Sequence, residues 1–274
     1  SGDPCARREE GTVILRRIIE QVKAQNWTAV AIDFFIVVFG VFIGMQVTNW
    51  NAANADRRAL GRYLDAVASD IRSDVNELAR VEEDARDRVT ASTYVLRAAG
   101  APDLNNAISF GASDTAANDV FTRTEAFQIA DGEPLSEDEL GRLWGLIVGG
   151  YMYDTNRTAF DALINSGNID LINDPELMQL LREYYYLVNG LEQTQSRTLA
   201  PIRLRAIETG IRDGLSPQGL IDEDAFVRLV RNDRALRATI AAAREDAAFH
   251  LLLAGATKDK AEAVIRALEE RRAP

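Results

Sequence analysis

The sequence predicts an all-α protein in which one N-terminal transmembrane helix continues into a long membrane-proximal helix packed in a helical bundle. The first observation is that the run from Trp27 to Trp50 has Asp33 as its only charged residue. The second is that the next stretch repeats its apolar residues every 3.6 positions, the period of an α-helix. The third is that later segments carry helix-capping residues and few patterns typical of strands.

Charge and composition exclude several functions. Residues 1–52 hold five basic and five acidic residues, so the remainder of the 274-residue chain carries the whole net charge of −11. A body this acidic repels phosphate backbones, so we expect no nucleic-acid partner. Cys5 is the only cysteine and His250 the only histidine, which excludes internal disulfides and cysteine-based zinc sites. We expect no cofactor and no metal.

The segment over residues 27–50 is long enough to span a bilayer. At 1.5 Å per residue it forms a helix of roughly 35 Å, against a hydrocarbon core of roughly 30 Å. Trp27 and Trp50 stand at its ends, where aromatic residues anchor spans at the membrane interface. The alternative is a buried core helix, but soluble helices rarely stay apolar on every face over this length.

A cleaved signal peptide is the nearer alternative, because Ala53-Asn54-Ala55 resembles a small-x-small cleavage site. The apolar run is longer than the 7–15 residues of a usual signal-peptide core. Its length therefore favours an uncleaved anchor.

Two segments precede the span: a disordered leader over residues 1–12 and a basic amphipathic juxtamembrane helix over residues 13–26. In the second, Arg16, Arg17 and Lys23 face away from an apolar stripe, as in helices that lie on an anionic leaflet. A plain cytosolic extension of the same helix explains the pattern equally well.

Orientation follows from the basic residues on either side of the span. Arg57, Arg58 and Arg62 follow it, so the positive-inside comparison favours a cytoplasmic N-terminus only slightly. We expect a single-pass protein of the bacterial inner membrane with residues 51–274 as a periplasmic acidic helical domain.

Small residues form one row within the span: Gly40, Gly44 and Thr48 are each four apart, and Asp33 falls near the same face. Such a row lets two helices approach closely in lipid, which predicts a homodimer. A partner helix supplying a cation to Asp33 is a second possibility. The plainer interpretation is that glycine is frequent in spans and that Asp33 reaches the headgroups.

The body reads as a series of helices. Apolar residues from Leu60 to Leu96 follow steps of three or four, which predicts one helix from the span to Arg97, ended by Gly100-Ala101-Pro102. A loop follows from Asp103 to Asp119. A capping box at Ser136–Glu139 predicts a helix running through Ile147, with a strand at Leu146–Tyr153 as the alternative. A second helix is predicted to end at Gly167, and a third, capped by Asp174-Pro175, to continue to about Ile211. The last helices are predicted at Glu223–Arg231, Asp233–Leu253 and Lys258–Arg271.

Two stretches carry a resemblance to a known family. "VFIGMQVTNWNAA" after a basic amphipathic start, followed later by "AFDALINSGNIDLINDPELMQLLREYY", resembles an uncharacterised family of bacterial single-pass membrane proteins whose span ends in an Asn-Trp-Asn-like sequence. The resemblance covers the first third and the middle of the chain but not its C-terminal portion. It implies a topology and no catalytic residue.

Candidate catalytic or binding groups each have a structural explanation. Asp246 and His250 are four apart, the spacing of a base oriented by a carboxylate, but a structural histidine satisfied by that neighbour fits the apolar context better. Tyr184-Tyr185-Tyr186 points in three directions, so we expect core and surface packing. The acidic groups Glu82-Glu83-Asp84 and Asp222-Glu223-Asp224 could bind a divalent cation, but solvated helix surface is the usual role of such runs.

We therefore expect no enzyme but a membrane-anchored scaffold or interaction protein that contacts unidentified envelope proteins or its own copy. The alternative is a sensor-like ligand-binding domain, although the printed residues before the span contain no kinase, cyclase or methyl-accepting segment to receive a signal. A closed pocket lined by Trp144, Tyr151, Tyr153 and Arg157 would favour the sensor. A broad exposed apolar face would favour the scaffold.

Overall fold

A computed structural model describes residues 27–101, 104, 107–108, 127–128 and 134–271. The leader predicted over 1–12, the amphipathic helix predicted over 13–26 and most of the loop predicted from Asp103 lie outside these residues. The chain divides into two compact units, Ser1–Ala59 and Leu60–Pro274. The all-α prediction is confirmed.

The first helix, α1, spans Trp27–Ala98, as the apolar run and the following 3.6-residue period predict. Its C-terminus is closed by Gly100, whose φ of 78° only glycine adopts readily. The amide of Ala101 donates to the carbonyl of Leu96 at 3.0 Å and that of Gly100 to Arg97 at 3.0 Å. This pair of bonds is a Schellman motif, which satisfies the last carbonyls of the helix.

A short antiparallel pair has its first strand within the predicted loop and its second strand after it. Strand β1, Ala107–Ile108, pairs with β2, Phe127–Gln128, with Ala107 opposite Gln128 and Ile108 opposite Phe127. The loop sequence does not alternate polar and apolar residues, so it did not predict these strands.

The helix predicted from Ser136 through Ile147 is in fact two: α2, Glu137–Leu140, and α3, Leu143–Val148. The capping box is confirmed, since the Ser136 side chain accepts from the Glu139 amide and the Glu139 side chain accepts from the Ser136 amide. At the break, Ile221 donates its amide to the carbonyl of Gly141 at 2.9 Å, so that carbonyl is bonded outside the helix. The alternative of a strand at 146–153 is wrong, because residues 149–157 have no regular structure.

The middle segment follows the predicted punctuation. Helix α4, Thr158–Asn165, ends before Gly167, which has a φ of 73°, and a 3₁₀ turn follows at Asn168–Leu171. Helix α5, Pro175–Thr194, begins with Pro175 in its first turn, and the Asp174 side chain accepts from the Leu177 amide at 2.9 Å. These signals predict a helix start because Asp satisfies an orphan amide and Pro has none to lose.

The predicted continuation to about Ile211 contains a feature the pattern did not show. A π-helical turn, Gln195–Leu199, joins α5 to α6, Ala200–Arg212. Pro201 lies just inside α6 and has no amide to donate, so an ordinary α-helical bond is missing there. The wider turn, in which the Ala200 amide donates to Gln195, accommodates it.

The last predicted helices are α7, Glu223–Asn232, and one long helix α8, Arg234–Glu270. The separation predicted between Leu253 and Lys258 is wrong. Gly255 does not end the helix; a Cβ there would lie 3.1 Å from Oε1 of Glu82 on α1, and Glu82 forms an ion pair with Lys258. The glycine leaves room for the Glu82 side chain and does not make a turn.

The body, residues 60–274, has two main apolar clusters among its described residues. The first core joins α1, α4, α5 and the C-terminal half of α8 through Val67, Ala68, Ile71, Leu78, Val81, Tyr153, Ala159, Phe160, Leu177, Leu181, Tyr184, Tyr185, Val188, Leu191, Leu253, Ala254, Ala261, Val264, Ala267 and Leu268. The second core joins the end of α1, α3, α6, α7 and the start of α8 through Ala91, Val95, Leu96, Ala99, Leu143, Trp144, Ile147, Val148, Ala206, Phe226, Val230, Leu236, Ile240 and Ala243. Between them on α1 and α8 lies a smaller apolar cluster of Val89, Ala247 and Ala248, with buried polar residues beside it.

Candidate functional site

The apolar stretch of α1 is uncovered by protein. Its large side chains from Ile32 to Trp50 are exposed, Phe34 by 65% and Trp50 by 64%. No part of its apolar window is buried, and it is the one described helix long and apolar enough to cross a membrane. A core helix of a soluble domain would bury these side chains, so the buried-helix alternative does not describe this stretch.

The residues predicted to pack in the span are on open surface. A Cβ added at Gly40 or Gly44 would meet nothing within 4 Å, and Asp33 is exposed. The hydroxyl of Thr48 donates to the carbonyl of Gly44 at 2.9 Å. Dimerisation through this row stays a prediction.

The predicted interface residues are described only in part. Trp50 is exposed, and α1 begins at Trp27. The side chain of Trp27, together with Arg16, Arg17 and Lys23, lies outside what the structure describes.

A second candidate site lies between the two cores of the body, and we name it the polar layer. It consists of Asp84, Arg88 and Ser92 on α1, Gln195 on the π-helical turn, and Asp246 and His250 on α8. The α1 members and the α8 members are each spaced by four, so each set shares one helix face. Apart from the half-buried Asp84, every member is less than a tenth exposed.

Arg88 carries the fixed charge of the polar layer. It is only 4% exposed, and the nearest carboxylate oxygen, on Asp84, is 4.0 Å from its Nη1. Its Nε has no hydrogen-bond partner among the described residues. Burial lowers the pKa of the guanidinium, and the charges of Asp84 and Asp246 oppose that shift. Burial also raises the pKa of the Asp84 carboxyl, against the influence of a Tyr151 amide and Arg88.

His250 is fully buried, but its partner is not the one the sequence predicted. With the Gln195 amide oriented to satisfy its surroundings, His250 Nε2 donates to the Gln195 side-chain oxygen at 2.9 Å. The same amide accepts from the Tyr153 backbone amide at 2.9 Å and donates to the Tyr153 carbonyl at 3.0 Å. The imidazole Nδ1 and the Asp246 Oδ2 have no hydrogen-bond partner among the described residues. The prediction that Asp246 satisfies His250 is therefore wrong, because the π-helical turn brings Gln195 to the ring.

The two titrating groups on α8 are shifted in opposite senses. Burial raises the pKa of Asp246 to about 6, with a smaller opposing influence from Arg88. Burial lowers the pKa of His250 to about 4, and the positive charge of Arg88 acts in the same direction. Desolvation disfavours the charged form of either group, so it raises an acid's pKa and lowers a base's.

A pair of carboxylates on α1 positions the segment before α4. Asp74, 1% exposed, accepts from the hydroxyls of Tyr184 at 2.5 Å and Thr155 at 2.9 Å and from the Asn156 amide at 3.0 Å. Asp70 accepts from the Ala159 amide at 2.9 Å, at the start of α4. Sequence reasoning missed this role. Asp70 and Asp74 are four apart and stand beside Ile71 of the apolar stripe, where a charged residue needs a partner.

The tyrosine prediction is confirmed: Tyr184 and Tyr185 are buried and Tyr186 is exposed. Tyr185 stacks on Phe160 with ring centroids 3.9 Å apart. Burial raises the pKa of Tyr184, and the charge of Asp74 adds to this shift.

The proposed sensor pocket is not assembled. Trp144 belongs to the second core and Tyr153 to the first. The Tyr151 hydroxyl donates to Glu77, and Arg157 lies over the Tyr185 ring. These four residues do not line one cavity, so the observation that would have favoured a ligand-binding sensor is missing.

The acidic runs have structural roles. Glu82 pairs with Lys258, and Asp84 faces the polar layer. Asp222 caps α7 by accepting from the Ala225 amide at 2.8 Å. Glu223 accepts from the Tyr94 hydroxyl, which raises the pKa of that tyrosine to about 12. The described residues contain no group of three or more histidine, cysteine or acidic side chains that could hold a metal ion.

No protein-family model, curated protein or solved structure matches this chain. Its function is therefore argued from its own residues. The uncovered apolar stretch and the polar layer are the two features that need an explanation beyond folding.

Proposed function

We propose that this chain is a single-pass membrane protein, anchored through residues 27–50, whose acidic helical body is an interaction domain of the bacterial envelope. The observation that carries the proposal is the exposure of every large apolar side chain from Ile32 to Trp50. Apolar surface is normally removed from water. Lipid tails are the partner that suits a helix apolar on all faces.

The polar groups of the stretch suit the same surroundings. In lipid every polar group needs a partner inside the protein or a route to the interface. Thr48 supplies its own partner by bonding the Gly44 carbonyl. Asp33 lies within two turns of the start of α1, where a carboxylate can reach the headgroups.

The interaction role rests on a second exposed surface, which we name the α6 face. It comprises Leu204 and Ile211, seven residues and two turns apart on α6, exposed by 61% and 59%. Aliphatic side chains exposed on one helix face offer apolar area that a partner can cover. We propose that envelope proteins, or a second copy of the chain, bind the body through this face.

The orientation in this proposal places the N-terminus in the cytoplasm and the body in the periplasm of the inner membrane. It is supported by the slight excess of basic residues before the span and by the resemblance to single-pass proteins of the same layout.

Fractionation with cysteine labelling tests the anchor and the orientation together. Cells are broken without detergent, and we expect the chain in the membrane pellet after alkaline carbonate washing and in solution only after detergent. In spheroplasts, a membrane-impermeant maleimide should leave the sole cysteine, Cys5, unlabelled. It should label a Cys5→Ala, Ser73→Cys variant, because Ser73 is exposed on the body.

Recovery of the intact chain in the high-speed supernatant overturns the anchor. Labelling of Cys5 but not of Ser73→Cys keeps the anchor and reverses the orientation. Lysed spheroplasts, in which both cysteines should react, are the control for reactivity.

A further inference from the structure

The polar layer lies wholly within the body, so an inference from it does not depend on the membrane anchor. It places buried polar groups beside the small apolar cluster of Val89, Ala247 and Ala248, between the two main cores. Five buried polar atoms in it have no hydrogen-bond partner among the described residues: Asp84 Oδ2, Arg88 Nε, Ser92 Oγ, Asp246 Oδ2 and His250 Nδ1. An ordinary core avoids such atoms because each costs free energy of desolvation.

The charged groups in and around the polar layer come from several elements. Arg88 and Asp84 lie on α1, and Arg203 on α6 acts on both of these. On α8 itself, Glu245 raises the pKa of Asp246, while Arg244 donates to the Thr93 hydroxyl at 2.8 Å. Arg88 is the charged group that acts on both Asp246 and His250.

We propose that Asp246 and His250 are a compensating pair of proton-binding groups that keeps the stability of the body nearly level as the surroundings turn acid. They lie one helical turn apart, both are buried, and both face the fixed charge of Arg88. As the pH falls, protonation removes the buried negative charge of Asp246, which stabilises the fold. Over the same pH range, protonation places a buried positive charge on His250, which destabilises it. Either group alone would make the packing between α8 and α1 respond to acid.

The sign of each contribution follows from its pKa in the folded chain. The pKa of Asp246 is raised from 3.8 to about 6, so its contribution to stability is fully present below 3.8 and is lost as pH rises through about 6. The pKa of His250 is lowered from 6.5 to about 4, so its contribution is present above 6.5 and is lost as pH falls toward 4. Acidification therefore strengthens the fold through Asp246 and weakens it through His250.

The two windows overlap, and the two shifts are of similar size. Each unit of pKa difference is worth a tenfold change in the folding equilibrium. Between pH 7 and pH 5, Asp246 should raise the folding constant about tenfold and His250 should lower it about twentyfold. Together the two groups should therefore change the folding constant little, although each alone changes it tenfold or more.

Two single variants of the full chain in detergent micelles separate the contributions of Asp246 and His250 to stability. Unfolding by urea is followed at pH 7 and pH 5 and compared with the unaltered chain, so that titration of the other acids cancels. Asp246→Asn should lose about tenfold in its folding constant relative to the unaltered chain on acidification, and His250→Gln should gain about twentyfold. Asp259→Asn, which removes an exposed carboxylate elsewhere on α8, is the matched control and should follow the unaltered chain within about twofold.

Shifts of the two variants in the same direction, or agreement of both with the unaltered chain, overturn the proposal. A direct readout covers the case in which a variant fails to fold. Because His250 is the only histidine, its imidazole resonances in a histidine-labelled chain report one group. Their midpoint should lie at about 4, and a midpoint near the ordinary 6.5 overturns the proposal as well.

Discussion

Two stretches of the same helix, Ile32 to Trp50 and Leu60 to Ala98 of α1, meet opposite surroundings. The first is apolar on every face and its large side chains are exposed. The second is rich in Asp, Glu and Arg, yet it buries Val67, Ile71, Leu78 and Val81 completely. The more apolar stretch is thus the less buried by protein.

The difference shows that periodicity, rather than apolar content, decides whether a helix packs against protein. A stripe recurring at 3.6 residues leaves one face for the core and one for water. A helix that is apolar all round has no face for water, so it must be covered on every side by protein or by lipid. The polar layer adds that even the packed stretch is not uniform, since Ser92 lies on its apolar stripe and Asp84 and Arg88 stand next to the stripe residues Ala85 and Val89.

The largest expected effect comes from placing the same change in both stretches. Val81→Asp buries an unpaired charge at a position that is 0% exposed, and should lower the free energy of unfolding of the body by more than about 4 kcal/mol. Val41 is exposed and belongs to neither core of the body, so Val41→Asp should leave the free energy of unfolding of the body unchanged. It should weaken membrane insertion by about 3 kcal/mol.

Urea unfolding in detergent measures the first quantity, and the fraction retained in carbonate-washed membranes measures the second. The comparison breaks if Val41→Asp destabilises the body, because its side chain would then be packed against protein. It also breaks if membrane retention is unaffected by a charge at the centre of the span.

A medium effect should separate two glycines of body helices. A Cβ at Gly210 on α6 would lie 2.1 Å from the Trp144 ring, whereas one at Gly190 on α5 would meet nothing within 4 Å. Gly210→Ala should therefore destabilise the body by about 1–3 kcal/mol through overpacking. Gly190→Ala should stabilise it by about 0.5–1 kcal/mol, since alanine is the better helix former.

Thermal or urea unfolding of the two variants measures this difference, and each serves as the control for the other. Stabilisation by both would mean that the second core lacks the close contact between Trp144 and α6.

The smallest effect on stability is expected at the α6 face, the body's counterpart of the exposed span. Leu204→Ser with Ile211→Ser should change the free energy of unfolding by no more than about 0.5 kcal/mol, because both side chains are exposed. A photo-crosslinker at Leu204 should capture protein in whole cells, and the Ile211→Ser change should remove that product.

The same crosslinker at Gln193, an exposed polar position on α5, is the control. Equal capture at both positions, or none at Leu204, would contradict a role for the α6 face in binding.

Local signals predicted much of the fold. Three of them were the apolar period from Leu60, the capping box at Ser136 and the helix start at Asp174-Pro175. Each depends on interactions between residues close in sequence, so the sequence alone is enough to recognise it. The errors lie where distant residues decide. The Gly141 carbonyl accepts from the distant Ile221 amide where one predicted helix is divided, and Gly255 lies against the Glu82 side chain of α1 where two predicted helices are one.

The candidate sites divide in the same way. The sequence by itself determined that residues 27–50 form a helix with no polar face and that the body is acidic and helical, because side-chain chemistry and spacing alone set those properties. Only the tertiary structure decided that His250 bonds Gln195 and that the charge of Arg88 acts on both Asp246 and His250. Those partners are brought together by helix packing and by a π-helical turn, and the desolvation that shifts their pKa values exists only once the helices enclose them.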